Sequence, residues 1–204
     1  MKLLRVTCCL FVLLLSLVAF AFVTVHPAGA QTLNPPPPSF EICRAGENVT
    51  ICQGSRTLSY GPVDAGIVCG SGASAFEVFD SGTYDQLGIR YYDQDGNLTR
   101  RVIHEDYTFA QFSNPLTGKV VPYTQHDTLT DVLVVPGDLS SFTETITGEV
   151  IFKPAHSAPV LFNAGRGVIA PDGSIEFRAG QHDFIDYFEN GDTSVVQKLC
   201  AALA

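Results

Sequence analysis

The stretch that decides the fold is "DQDGNLTRRVIHEDYTFAQFSNPLTGKVVPYTQHDTLTDVLVV", residues 93–135. Asp95-Gly96 suits the positive φ of a tight hairpin turn. A long extended run follows it, residues 98–112. "SNPLTGK" then reads as a second turn, with Pro115 and Gly118 supplying its geometry. The next run, 120–135, is extended again and broken by "PGD". Two long runs joined by tight turns leave no room for a crossover helix, so their pairing is antiparallel.

The same pattern extends outward. "FEVFD" (76–80) and "QLGIRYYD" (86–93) read as short strands upstream. "FTETITGEVIF" (142–152), "VLFNAGRGVIA" (160–170) and "SIEFRAGQHDFI" (174–185) read as strands downstream, the last two joined by "PDG". Gly165 and Gly167 share one face of their strand, as a barrel bend or close packing would require. "TSVVQKLCAALA" (193–204) is the one stretch that reads as a helix, and "FIDYF" (184–188) as an aromatic plug or binding lip. The expected fold is all-β: an antiparallel meander of about eight strands closing as a barrel, with a β-sandwich as the alternative and a short C-terminal helix.

Residues 1–30 read as a signal peptide. Lys2 and Arg5 precede a run without charge from Val6 to Val25, and Ala28 and Ala30 supply the A-x-A pattern of a cleavage site. The alternative is a retained N-terminal membrane anchor, because the uncharged run is just long enough to span a bilayer. Residues 31–40, with "NPPPPSF", read as a proline-rich linker, and 41–204 as one β-barrel domain. Loss of Lys2 and Arg5 leaves 10 basic residues against 21 acidic ones, a net charge of −11. So acidic a surface argues against nucleic acid and anionic lipid as partners. The expected location is secreted, with no membrane association of the mature form, and the oligomeric state is open.

Cys43, Cys52, Cys69 and Cys200 remain in the mature chain. An even number in a secreted chain reads as two disulfides, with three connectivities. The expected pairing is Cys43–Cys52, local, and Cys69–Cys200, long-range. Zinc is disfavoured because no C-x-x-C spacing occurs.

An early cysteine, the "DGN" (95–97) and "PDG" (171–173) hairpins, the "NPLTGK" (114–119) turn and the closing "LCAALA" (199–204) resemble small secreted bacterial proteins of β-barrel type, common in actinobacteria. The resemblance implies a secreted β fold. It transfers no activity and no catalytic residue.

The candidate chemistry centres on a tripeptide that occurs twice, Gln125-His126-Asp127 and Gln181-His182-Asp183. Neighbours on a strand point to opposite faces, so neither His–Asp pair acts as a unit. The apolar alternation places Gln125 and Asp127 inward with Tyr123, and Gln181 and Asp183 inward on the last strand, with both histidines outward. Tyr123, Gln125, Asp127, Gln181 and Asp183 are therefore the candidate ligand-binding residues, lining a cavity or lying wet at a barrel rim. No residue is assigned a catalytic role, and no cofactor motif is present. A metal site from His104, His126 and His182 requires three histidines on one face, which nothing in the pattern demands. Asp93, Asp95 and Asn97 miss the spacing of an EF-hand calcium loop. "VCGSGAS" (68–74) matches neither G-x-S-x-G nor a papain-type cysteine site. The leading expectation is a non-enzymatic binding protein with a small apolar or amphipathic ligand at the barrel mouth. The alternatives are an isomerase- or cyclase-type enzyme using an inward carboxylate and Tyr123 as acid and base, or a cell-surface module without a pocket.

Overall fold

The computed structural model describes residues 32–204; the signal-peptide reading of residues 1–30 lies outside them. Eight strands follow one another in an antiparallel meander whose spatial order is the chain order: β1 (Ile42–Ala45), β2 (Thr50–Cys69), β3 (Phe76–Tyr92), β4 (Leu98–Ser113), β5 (Val120–Leu133), β6 (Phe142–Phe152), β7 (Leu161–Ile169) and β8 (Ile175–His182). The sheet is not closed: no ladder joins β8 to β1 or β2 among the described residues. Two short helices end the chain, α1 (Asp183–Phe188) and α2 (Gln197–Leu203).

Several elements differ from the sequence reading. The runs 76–80 and 86–93 are one strand, β3, continuous through Gly82. A Cβ at Gly82 would lie 3.0 Å from the Tyr60 phenol, so this glycine makes room for a ring instead of breaking the strand. β2, 20 residues long, has no counterpart among the expected strands. The last strand stops at His182, and "FIDYF" is helical.

Alternation sets an inner face. On β5, Val121, Tyr123, Asp131 and Leu133 are buried while Val120, Pro122, Thr124 and His126 are exposed. Inner residues of β2 to β7 meet in one apolar cluster that includes Ile67, Val78, Phe112, Tyr123, Phe152 and Leu161. Strands so far apart in the order share a core only if the sheet curls strongly, as right-handed twist demands of long antiparallel strands. Leu199 and Leu203 of α2 are fully buried in this cluster. Cys69–Cys200 fastens α2 to β2, and Cys43–Cys52 joins β1 to β2, the pairing expected from the sequence.

A smaller cluster, Cys52, Tyr92, Leu98 and Leu133, lies elsewhere on the sheet. The proline-rich segment covers it. Asn34 exchanges backbone hydrogen bonds with Gly96 and Leu98 at 2.8 Å each, Leu33 packs on the cluster, and the Tyr92 hydroxyl donates to the Pro35 carbonyl at 2.9 Å. Residues 33–35 are thus a strap on the sheet. No helix among the described residues is long and apolar enough to cross a membrane.

Candidate functional site

The two Gln-His-Asp copies adopt different conformations. In β5 the first behaves as strand alternation dictates. Gln125 and Asp127 are half-buried on the inner face, and the Gln125 amide donates to the Asp127 carboxylate at 2.5 Å. His126 is exposed on the outer face, 2.9 Å from Asp106.

The second copy reverses the expectation. Val168 pairs with Phe177 but Ile169 pairs with Ile175, so Glu176 is an extra residue in β8. A one-residue bulge turns every later side chain to the other face. Phe177 and Gln181 are consequently exposed, and His182 is buried. Asp183 is buried too, but as the first residue of α1. Its carboxylate accepts from the Phe162 amide at 2.8 Å and the Gln181 side chain at 2.9 Å. Gln181 and Asp183 line a shallow depression with Pro159, Ser194 and Lys198, apart from Asp127. The two Gln-x-Asp pairs do not converge.

What converges with Asp127 is His182. Both line a cavity of about 210 Å³ on the inner face of β5 to β8. Its floor follows from the strand register. Asp127, Gly148, Gly165 and Gly180 are successive cross-strand partners, so beyond Asp127 the row carries no side chains. Gly148 is required where it stands, because a Cβ would run into the Asp127 carboxylate. Ile146, Ile169, Ile175, Phe184 and Ile185 form apolar walls. Asn163, the cross-strand partner of His182, completes the polar lining. Its Oδ1 is buried and has no hydrogen-bond partner among the described residues.

On the other side of Asp127 the row is polar: Glu105, Gln86 and Arg56 are its successive partners across β4, β3 and β2. Arg56 donates to Gln86 at 2.9 Å and Gln86 to Glu105 at 2.8 Å. Burial pushes the Asp127 carboxyl above its ordinary pKa; the Gln125 hydrogen bond opposes this, and the Glu105 charge adds to it.

Tyr123 belongs to a different group. Its hydroxyl lies 3.0 Å from Asp80 Oδ1 and 2.7 Å from the Tyr60 hydroxyl, which is itself 3.1 Å from Asp80 Oδ2. Tyr107 and Tyr84 stack beside them, with ring centroids 4.8 Å apart. Burial raises the Asp80 carboxyl, and the two phenol hydrogen bonds temper the rise. Burial also pushes Tyr60 up to about 12 and Tyr123 further. These phenols stay protonated and act as donors to Asp80. Sequence reasoning missed Asp80, Asn163 and His182 as inner polar groups. Asn163 had a usable signal: it is the polar member of the alternating set Leu161, Asn163, Gly165, Gly167, Ile169.

The three histidines considered for a metal do not share a face. His104 is exposed and bonded to Thr128, His126 is exposed, and His182 is buried with Nε2 3.0 Å from the Ala179 carbonyl. No cluster of three metal-ligating side chains occurs among the described residues. No protein-family model, curated protein or solved structure matches this chain.

Proposed function

We propose that this protein is a secreted, non-enzymatic binding protein that takes a small amphipathic ligand into the cavity between Asp127 and His182. The observation that carries the reading is a cavity of about 210 Å³ whose floor is bare of side chains beyond Asp127, with Asn163 in its lining and the Asn163 Oδ1 buried beside it without a partner among the described residues. Among the described residues two other buried side-chain oxygens lack partners, Glu41 Oε2 and Asp131 Oδ1. Both belong to carboxyl groups with a local remedy. Glu41 is paired through its other oxygen with Arg90, and Asp131 can accept a hydrogen bond from protonated Glu144, whose pKa burial and the Asp131 charge raise. An amide has no protonation change available, so Asn163 Oδ1 stays unpaired in this arrangement and gains a donor only when its amide turns into the cavity.

The size of the space limits the ligand. A dry apolar void of roughly 150 Å³ holds a benzene molecule, and drug-sized ligands occupy roughly 300–1,000 Å³. At about 210 Å³ this cavity suits a single ring with a short polar arm. The strong curl of the sheet toward a barrel supports the same reading, since it encloses the inner face. Secretion is supported by the leader-like residues 1–30 and by two disulfides, which persist in oxidising compartments. The enzymatic alternative would have to use Asp80 as its carboxylate, because Tyr123 is bonded to Asp80 and Tyr60 and neither Tyr123 nor Asp80 lines this cavity, whereas Asp127 is held by Gln125.

The test is titration of the purified chain with benzyl alcohol, followed by ligand-observed NMR, beside native mass spectrometry of the secreted protein. Saturable binding that Gly167→Leu abolishes is expected, because a side chain at Gly167 enters open space. Absence of saturable binding, with a native mass equal to the bare chain, would overturn the reading.

A further inference from the structure

We infer that the ligand of this cavity is a primary amine, bound as its ammonium with Asp127 as counter-ion. This rests on the binding reading above and names the chemistry of the same site.

Among the residues lining the cavity, the acidic one is Asp127. Asp127 offers a carboxylate, one oxygen of which is held by Gln125. Asn163 lines it too, but its Oδ1 is buried out of the cavity's reach and has no partner among the described residues. His182 Nε2 lies 3.0 Å from the Ala179 carbonyl; a carbonyl only accepts, so Nε2 carries the hydrogen of that bond and is not free for a ligand. An alkylammonium group supplies the countercharge and an N–H donor for the Asp127 oxygen that Gln125 leaves free. A carboxylate would meet Asp127 charge to charge, and an ether would offer it no donor, which is costly in a buried site.

Charge points the same way. Among the described residues no lysine or arginine lines the cavity. The nearest inner-face cations are engaged elsewhere: Arg178, the cross-strand partner of Gly167, is paired with Asp186, Arg56 bonds Gln86 and covers the Phe40 ring, and Arg101 is paired with Asp131. Glu105 stands beside Asp127 in register, so a second carboxyl adds its negative charge next to the one that lines the cavity. The bare glycine row leaves nothing between Asp127 and the Asn163–His182 pair, while the isoleucine walls and Phe184 receive the apolar body.

The test compares benzylamine with benzyl alcohol, toluene and benzoate, by calorimetry at neutral pH, on the wild-type chain, Asp127→Asn and Gly167→Leu. Benzylamine is expected to bind at least tenfold tighter than benzyl alcohol, and benzoate not measurably. Asp127→Asn should erase the amine's advantage while benzyl alcohol still binds, which also shows the variant is folded. Gly167→Leu should block both. Benzylamine binding no tighter than benzyl alcohol, or unchanged in Asp127→Asn, overturns the amine inference and leaves the cavity reading standing. Failure of benzylamine, benzyl alcohol and toluene alike overturns both.

Discussion

The Cys69–Cys200 bridge is expected to contribute about twice the stability of Cys43–Cys52, although the four cysteines look alike in the sequence. The perturbations are the double variants Cys69→Ala/Cys200→Ala and Cys43→Ala/Cys52→Ala. Alanine avoids placing a hydroxyl in the core, and the buried partners, Cys69 and Cys52, are matched at 1% and 0% exposure. Side-chain losses at those two positions therefore nearly cancel in the comparison. The loops differ: the bridges span sequence separations of 131 and 9 residues. Chain entropy then gives about 5 kcal/mol for the long loop and about 2.5 kcal/mol for the short one. For a domain of this size 1 kcal/mol shifts Tm by roughly 2–4 °C, so the losses are about 10–20 °C and 5–10 °C. The chain contains no tryptophan, so urea unfolding is followed by tyrosine fluorescence and circular dichroism. The long-loop variant should also show a larger urea m-value, because its unfolded chain exposes more surface. If it loses no more stability than the short-loop variant, the reasoning fails. The other anchors of α2, the Asn114 and Thr117 side chains donating to the Leu203 carbonyl, would then be holding the helix alone.

Three further outcomes follow from the inner face. Tyr123→Phe removes a donor from half-buried Asp80 and should cost about 1–3 kcal/mol; a double-mutant cycle with Asp80→Asn should show positive coupling, and strictly additive losses would mean the bond adds no stability. Glu144 has a raised pKa in the folded state, so its contribution is complete below the ordinary value of 4.5 and is lost as pH rises through the raised one. Glu144→Gln should therefore flatten the stability profile above pH 4.5, and an unchanged slope in urea titrations from acid to neutral pH contradicts the shared proton with Asp131. Gly165, at φ +139°, would drive a Cβ into the Ala179 carbonyl oxygen, whereas a Cβ at Gly167 meets nothing within 4 Å. Gly165→Ala should cost more than about 1 kcal/mol and Gly167→Ala stay within about 0.5 kcal/mol, read from thermal melts.

The parts of this fold that were legible share one property: their pattern is local. β5 and β6 show clean alternation, and the Asp95-Gly96 and Pro171-Asp172-Gly173 turns declare themselves. The Cys43–Cys52 pair followed from proximity in sequence, and Cys69–Cys200 from what was left. β2 was illegible because its inner positions are mostly Gly54, Arg56, Leu58 and Tyr60, which carry no apolar period; β3 supplies its order by pairing. The second tripeptide was misassigned because a bulge has no sequence signature at Glu176. One extra residue exchanged Gln181 for His182 on the inner face. Of the five candidate ligand residues, Asp127 lines the cavity and Gln125 holds it. Tyr123 turned out to be bonded to Asp80, a contact between strands 43 residues apart that no local pattern encodes.

The glycine row makes one further demand on the thermodynamics. An unfilled apolar space costs roughly 24 cal/mol per Å³, so about 210 Å³ represents up to about 5 kcal/mol that side chains at these positions would have recovered. That is comparable with the whole stability of many domains. Gly148 and Gly165 are held as glycine by close backbone or carboxylate approach, but Gly167 is not; its inward position is open. Gly167→Leu therefore fills the space with an apolar side chain on a strand residue that needs no positive φ. It should raise Tm while abolishing benzyl alcohol binding, the inverse relation expected when a void is kept for a ligand. Thermal melts with and without benzyl alcohol read both effects at once: wild type gains Tm with ligand, and the variant starts higher and gains nothing. A variant that melts lower yet still responds to the ligand would place the bound molecule elsewhere, and the bare glycine floor would then have no part in binding it.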